Sequence, residues 1–485
     1  MKLLLVYPAN EYSTTNTATY SLPLGLGSIA TYAKQKLNDL EIKILDGSIM
    51  SHQEQEKELE KFKPDVAGFS PTMASQGNAK KLAKQSKELN SMVFFGGVNS
   101  TNLWFNNLKN NDFIDGVFLY EAEIGFFQAL NRLKEYQIMG PEAFGGIQNL
   151  AHRDSHNNII PPKNINIPSL SDIPNINYSI FDLDTHFKET IKKGFGKGVT
   201  YYGGKGCSKR GNMKLKSIYT YEEYNELIKN MNTCTFCGRN ELGFRTITEK
   251  REEEVIKELN ENYGVDWFFN VQDTVNLENK HPVGISPAYR FFIGLENVTE
   301  KSIEILKQRY GEKLIFQVGI EAATPEMRKV YGKKETNNED IYKKTELMKK
   351  NNIELHASFI LGGRGETEES MEETVRIVKR LSEYNNVTWI LISPQLILPG
   401  SPDHKAFLQM PLMNKKYCWQ DHINLEEISS DFMQYFTPSL TRKRVVETIA
   451  NTFSSIKRKE NLVLDVKGVT AEEENYIGPR RSYTK

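Results

Sequence analysis

The chain is poor in cysteine, and that scarcity makes each one informative. Four occur in 485 residues: Cys207, Cys234, Cys237 and Cys418. Four thiols cannot staple a chain of this length, so a disulfide framework is excluded and a reducing, cytoplasmic setting is expected. Charge of one sign is not in surplus either, with 62 Lys and Arg against 62 Asp and Glu. No global field therefore favours a polyanion, and no nucleic-acid partner is expected. Long apolar runs are missing as well. The opening Met1-Lys2-Leu3-Leu4-Leu5-Val6 stops at Tyr7-Pro8, too early for the apolar core of a signal peptide. Nothing approaches the roughly 18 apolar residues of a membrane span, so none is expected. Internal repeats and low-complexity tracts are absent too.

Apolar residues make up 39% and charged residues 26%, enough to bury real cores and stay soluble. The length allows two or three domains of about 100–200 residues each. Over residues 1–150, short apolar runs alternate with helical patterns: Leu3 to Tyr7, Glu41 to Leu45, Asp65 to Phe69, Met92 to Phe95 and Gly116 to Leu119 read as strands. That spacing predicts a parallel, doubly wound, Rossmann-like α/β domain. Ligands of such sheets bind beyond the carboxyl ends of the strands, here the loops at Pro8, Asp46-Gly47, Ser70-Pro71, Gly96-Gly97 and Tyr120-Glu121. Residues 151–195, rich in Asn, Pro, Asp and Ser, read as a linker. From 196 to 404 the alternation resumes, with six strands in series, most followed by a helix. A partial (β/α)6 barrel is expected, with chemistry at the strand ends. Residues 405–485 read as a small, mostly helical region without strands, and its last 15 residues, ending in Arg480–Lys485, read as frayed.

Cys207 directly follows the first barrel strand, within Gly203-Gly204-Lys205-Gly206-Cys207, and Cys234-Thr235-Phe236-Cys237 comes later. Three thiolates can hold three irons of a [4Fe–4S] cluster and leave the fourth open to a ligand. A lone Cys-x-x-Cys is also a zinc half-site or a redox pair, and Cys418 could complete a four-cysteine zinc site in a non-catalytic scaffold. Cys418 also reads as a buried small hydrophobe. The glycines near Cys207 would let backbone approach a bulky group, or simply form a turn. Gly319-Ile320-Glu321 and Gly362-Gly363-Arg364-Gly365-Glu366 end the fourth and fifth strands. Glu321 could accept from a ribose hydroxyl or an amine, or form a structural ion pair. Gln272-Asp273-Thr274 ends the second strand, where Asp273 is either an inward polar group or a helix cap. His356, Tyr201 and Tyr202 are candidate substrate-facing groups or ordinary barrel lining.

Taken in order, these motifs resemble the cobalamin-binding-domain class of radical S-adenosylmethionine (SAM) enzymes. The resemblance runs over most of the chain. In the first domain it rests on Leu3-Leu4-Leu5-Val6-Tyr7-Pro8, Pro23-Leu24-Gly25-Leu26-Gly27, Asp65 to Ser70 and Gly96-Gly97. In the linker it rests on Ile167 to Pro174 and Phe181-Asp182-Leu183-Asp184. In the barrel it rests on Gly206-Cys207, Cys234 to Cys237, Gly319-Ile320-Glu321, Ile360 to Thr367 and Leu398-Pro399-Gly400-Ser401-Pro402. It implies that Cys207, Cys234 and Cys237 ligate a [4Fe–4S] cluster. It further implies that Gly319, Glu321 and Gly362 line a SAM site, with Gln272 and Asp273 nearby. Pro8, Gly25, Ser70, Gly96, Gly97 and Glu121 would sit toward cobalamin. C-methylation of an unactivated carbon is the implied outcome, with oxidation, cyclisation or rearrangement by SAM alone as the alternative. The implied partners are a small-molecule, lipid-precursor or peptide substrate and a reductant such as flavodoxin or ferredoxin.

The pattern also departs from that family. Its three cysteines normally fall within eight residues, whereas 26 residues, Ser208 to Thr233, separate Cys207 from Cys234 here. Loop closure tolerates such an excursion because its entropy cost grows slowly with length. Tyr219 to Met231 reads as a helix within it, and Lys209, Arg210, Lys214 and Lys216 give it a basic start. The insert is a substrate-recognition element, a lid or a solvated excursion. The Asp-x-His-x-x-Gly motif that supplies a cobalt ligand elsewhere is absent, as is usual in the radical SAM branch. Asn99 stands where relatives often carry His, and Tyr120-Glu121-Ala122-Glu123 lacks the glycines of Gly-Glu-Gly-Glu.

Overall fold

The structure is a computed structural model, and it describes residues 1–11, 21–136, 141–192, 195–210, 215–239, 241–278, 281–285, 287–457, 459, 461–470 and 473. Lys214 and the Arg480–Lys485 tail lie outside the described residues.

The first sheet contains β1 (Lys2–Tyr7), β2 (Glu41–Asp46), β3 (Val66–Phe69), β4 (Met92–Phe95), β5 (Gly116–Phe118), β6 (Leu150–Arg153) and β7 (Ile159–Ile160). Their spatial order is β2-β1-β3-β4-β5-β6-β7. The first five pair in parallel, and β6 and β7 add antiparallel. Leu3 to Val6 form an unbroken apolar run because β1 is buried on both faces of a helix-covered sheet. Helices Leu24–Lys36, His52–Phe62 and Gln76–Glu88 form crossovers, and Glu123–Tyr136 precedes β6. A capping box between Ser51 and Glu54 opens the second of these helices. The doubly wound domain expected from the alternation is present. One difference is its extent: β6 and β7 come from the segment read as a linker. Leu-Ala-His-Arg is too short and too polar for a strand signal, and pairing with β5 overrides that weak propensity.

Next along the chain come β8 (Asn164–Asn166), β9 (Gly198–Tyr201), β10 (Gly204–Gly206), β11 (Ile218–Thr220), β12 (Phe244–Thr246) and β13 (Trp267–Asn270). They are followed by β14 (Ala288–Phe292), β15 (Leu314–Glu321), β16 (Glu354–Leu361), β17 (Val387–Pro394) and β18 (Val463–Val466). The second sheet is all parallel, in the order β9-β13-β14-β15-β16-β17-β18. Along β15, Leu314, Phe316, Val318 and Ile320 are buried, while Ile315, Gln317 and Gly319 alternate with them on the less buried, inner face. The sheet is therefore the expected partial barrel, with one correction. It has seven strands, not six, because β18 arrives from the C-terminal region expected to hold none. Val-Leu-Asp-Val is a four-residue run with an acidic member, and only its pairing with β17 makes it a strand. The rest of that region is helical, at Pro402–Phe407, Pro411–Tyr417, Leu425–Phe436 and Arg442–Ser455. Phe407, Tyr417, Ile428 and Phe432 pack there with Met73 and Leu103 of the first domain.

The insert is neither a free lid nor a solvated excursion. Strand β11 pairs with β8, and helix Tyr221–Lys229 buries Tyr224 and Ile228 in the core that contains Leu4, Val6 and Phe95. The Tyr224 ring packs tilted against Tyr120, with centroids 4.3 Å apart, and the Trp104 indole donates to the Tyr221 hydroxyl at 3.1 Å. The chain leaves Cys207, docks on the first domain and returns to Cys234.

Candidate functional site

The carboxyl ends of the first sheet face the mouth of the barrel across a cavity of about 570 Å³. Gly25, Ser70, Gly96, Gly97 and Glu121 line it from the first domain, and Tyr202, Lys205, Arg239, Gln272 and Asp273 from the barrel. Leu398 and Pro399 close one side, and Gly206 and Gly238, the neighbours of Cys207 and Cys237, reach the wall. Most of the residues assigned to cobalamin thus share one space with Gln272 and Asp273. Pro8 does not: it packs under the Asp46-Gly47 turn, where a Cβ on Gly47 would lie 2.5 Å from the Pro8 carbonyl carbon. Gly25 and Gly96 border open space. A Cβ on Gly25 would meet nothing within 4 Å, and one on Gly96 would make only ordinary contacts. Gly97, at φ +81°, opens a short helix against Ser70.

Glu121, on the cavity wall, is also engaged in ion pairs. It pairs with Lys205 at 3.0 Å and with Arg245, while Glu123 takes Lys205 at 3.0 Å and the Ser28 hydroxyl at 2.8 Å. Burial alone would lower the Lys205 ammonium, but Glu121 and Glu123 outweigh it and hold Lys205 above the usual lysine range. Glu123 is pushed up by burial and brought below its usual range by Lys205. This ion cluster ties the β5 loop of the first domain to β10, the strand that immediately precedes Cys207. Sequence reading missed Lys205, although its place inside the glycine run two residues before Cys207 was a signal. Those glycines have a packing reason. A Cβ on Gly206, at φ +82°, would lie 2.1 Å from the Gly243 carbonyl oxygen, and one on Gly204 would lie 2.2 Å from that of Arg245. Strands β10 and β12 approach too closely for side chains.

The three thiols each meet a different donor. The Cys207 sulfur lies 3.5 Å from the Thr274 hydroxyl, Cys234 3.5 Å from Lys209 Nζ and Cys237 3.6 Å from Arg210 Nη2. Burial raises the Cys237 thiol, with the Arg239 amide and the Arg210 guanidinium opposing. The Cys234-Thr235-Phe236-Cys237 loop is held from two sides: Thr235 donates to the Tyr331 carbonyl at 3.4 Å and accepts from the Asp403 amide at 2.9 Å. Asn102 of the first domain donates to the Gly238 carbonyl at 2.9 Å. Among the described residues, no group of three or more His, Cys, Asp or Glu side chains stands close enough to hold a metal ion. Cys418 lies at the end of helix Pro411–Tyr417, its carbonyl taken by Asn106, and does not complete a four-cysteine site.

Asp273 forms an ion pair with Arg239 at 3.2 Å and caps no helix; burial raises its carboxyl, with Arg239 opposing. Gln272 is buried with its Oε1 unpartnered and its Nε2 3.3 Å from the Arg245 carbonyl. Glu321 sits at φ +67° on a bulge of β15, paired with Lys333 at 3.0 Å. Lys333 is lowered by burial but lifted further by Glu321 and by Cys234, which places this pair beside the Cys234–Cys237 loop. A Cβ on Gly319 would lie 2.2 Å from Glu321 Oε1. Gly362 is turned elsewhere. At φ +83° it abuts Met433 of the C-terminal helices, and its amide donates to Glu366. Tyr202 lines the cavity, whereas the Tyr201 hydroxyl points into the helix layer and donates to Glu252 at 2.8 Å. His356 lies on the inner face of the barrel, 5.4 Å from the Trp389 ring, with Nδ1 buried and unpartnered.

No family model matches the chain. An uncharacterized methyltransferase of Pyrococcus horikoshii is 25% identical over 398 residues, 79% of this chain and 78% of that protein. Among solved structures, the radical SAM methyltransferase TsrM of Kitasatospora setae, with cobalamin and a [4Fe–4S] cluster bound, aligns over 84% of this chain and 74% of its own, at 12% identity and a TM-score of 0.60. The cobalamin-dependent radical SAM enzyme OxsB, with aqua-cobalamin bound, aligns over 85% of this chain and 56% of its own, at 14% identity and a TM-score of 0.57. Among the described residues, no helix is long and apolar enough to cross a membrane. The doubly wound sheet, the partial barrel facing it and the helical C-terminal region together give this chain the fold of the cobalamin-binding radical SAM enzymes.

Proposed function

We propose that the chain is a cobalamin-dependent radical SAM enzyme, most simply a C-methyltransferase acting on an unactivated carbon. The observation that carries this reading is the cavity of about 570 Å³ between the sheet ends and the barrel mouth, bordered by the neighbours of Cys207 and Cys237. Support comes from the methyltransferase of Pyrococcus horikoshii and from the cobalamin held by TsrM and OxsB. The donor types suit the groups, although the three thiols do not already converge as a metal-ion site. Gly25 and Gly96 leave open floor for a broad, flat ligand, and each thiol already has a donor suited to a thiolate. Cys207, Cys234 and Cys237 would hold the [4Fe–4S] cluster, and Glu321, oriented by Lys333, would face SAM from the Cys234 side. Bound there, these groups supply a 5′-deoxyadenosyl radical from SAM and a methyl group carried on cobalamin. The chain's own task is to orient them and exclude water. Tyr202, Gln272 and Asp273 wall the cavity on the barrel side, while Leu398 and Pro399 close it. The substrate is a small molecule, a lipid precursor or a peptide, and the electron comes from a cytoplasmic reductant such as flavodoxin or ferredoxin.

The test is product analysis. Reconstituted protein incubated with SAM and a chemical reductant is expected to form 5′-deoxyadenosine or S-adenosylhomocysteine, and Cys234→Ala to form neither. Turnover by Cys234→Ala equal to wild type would overturn the reading. A second reading, SAM chemistry without cobalamin, is favoured by one observation: Glu121 is already spent on Lys205 and Arg245 across the domain interface. It is distinguished by 5′-deoxyadenosine formation that is independent of added corrinoid.

A further inference from the structure

The insert after Cys207 brings two cations to the sulfurs. Ser208–Arg210 form a 3₁₀ turn directly after the first cysteine, closed by the Arg210 amide on the Cys207 carbonyl at 3.0 Å. Lys209 Nζ reaches the Cys234 sulfur at 3.5 Å, and Arg210 Nη2 reaches that of Cys237 at 3.6 Å. Arg210 is fixed there. Only 6% exposed, it also donates to the Arg239 carbonyl at 2.8 Å, the Glu241 carbonyl at 2.8 Å and the Glu241 carboxylate at 3.3 Å. One residue therefore binds both limbs of the excursion, the segment leaving Cys207 and the segment following Cys237. Among the described residues, the partner of the Cys207 sulfur is the neutral Thr274 hydroxyl.

We propose that Lys209 and Arg210 are positioning residues that donate charge-assisted hydrogen bonds to the Cys234 and Cys237 thiolates and raise the reduction potential of the cluster. The inference rests on the cluster assigned above. Its physical basis is that net charge and hydrogen bonds to the sulfurs set the potential of an iron–sulfur centre. Reduction adds negative charge at the sulfurs, so a cationic donor stabilises the reduced form more than the oxidised one. Glu241 offsets part of the Arg210 charge but leaves its Nη2 donor on the sulfur.

The experiment is a redox titration of the anaerobically reconstituted full chain, followed by electron paramagnetic resonance. Wild type, Lys209→Met, Arg210→Met and Arg210→Lys are compared at equal iron content. Lys209→Met and Arg210→Met are expected to titrate at more negative potentials than wild type, with Arg210→Lys recovering part of the shift. A merely structural role for Arg210 would lower the melting temperature and leave the midpoint where it was, which would overturn the proposal. Should Arg210→Met load no iron, Lys209→Met decides by the same readout. A wild-type chain that loads no iron overturns the proposed function itself. A loaded wild type with unmoved variants overturns this inference alone.

Discussion

Single residues at the site separate packing from ligand binding. Gly206 and Gly25 look alike in sequence, but one is locked and the other faces space. Gly206→Ala forces φ +82° on a residue with a Cβ and drives it into the Gly243 carbonyl oxygen 2.1 Å away. The backbone strain alone costs about 1–3 kcal/mol, so a lower melting temperature and reduced iron loading are expected. Gly25→Ala lies in helix Leu24–Lys36 with nothing within 4 Å, so the fold should hold or gain up to about 1 kcal/mol of helix propensity. Retention of hydroxocobalamin should fall, because the new methyl enters the cavity. Full retention would place the corrin elsewhere. Glu366 carries a pH signature. Burial raises its carboxyl from 4.5 to about 7 against the Gly362 and Gly363 amides. The folded state therefore holds its proton over a range where the unfolded chain releases it. Stability from this group is full below pH 4.5 and is lost as pH rises toward 7. The span corresponds to about 3 kcal/mol at most. Glu366→Gln should flatten the stability profile between those limits in denaturant titrations at several pH values. An unchanged slope would contradict the assignment.

At the scale of elements, legibility tracked the length and periodicity of each segment. Strand β1 stood out because four consecutive apolar residues leave little choice. Strands β6, β7 and β18 did not, because two to four residues carry no period and their conformation comes from a neighbour's open edge. The site shows the same division. Gly96 and Asp273 were legible as cavity lining from their place at strand ends, and Gly25 from the motif it shares with the resembled family. The Glu121–Lys205 pair and the thiol donors were not, because they join segments distant in sequence. Pro8 and Gly362 matched family motifs yet serve a turn and the C-terminal core. The insert helix is the clearest case, since its helical pattern was visible but not what it would cover. Tyr224, 1% exposed against Tyr120, is central to that contact. Tyr224→Ala should cost about 3–5 kcal/mol, as for other large aromatic truncations. It should also raise hydrogen exchange across Tyr221–Lys229. Unchanged exchange there would mean that the helix does not depend on the first domain.

In the whole molecule, two sheets face each other across one cavity, and the contacts that bind them run through the site. Asn102 reaches the Gly238 carbonyl, and Lys205 sits between Glu121 and Glu123. Lys205→Met would leave two buried carboxylates without their ammonium, a loss of about 3–5 kcal/mol. Double-mutant cycles with Glu121→Gln should recover part of it, and strict additivity would show that the pair is uncoupled. On the proposed function the same geometry would make corrinoid and cluster neighbours in one space, and that is the point most directly open to trial. The decisive measurement is a visible absorption spectrum after anaerobic reconstitution with iron, sulfide and hydroxocobalamin, followed by desalting. A broad iron–sulfur band with corrinoid bands retained on the same protein is the expected result. A colourless protein, or iron–sulfur absorption with all corrinoid lost, would contradict it.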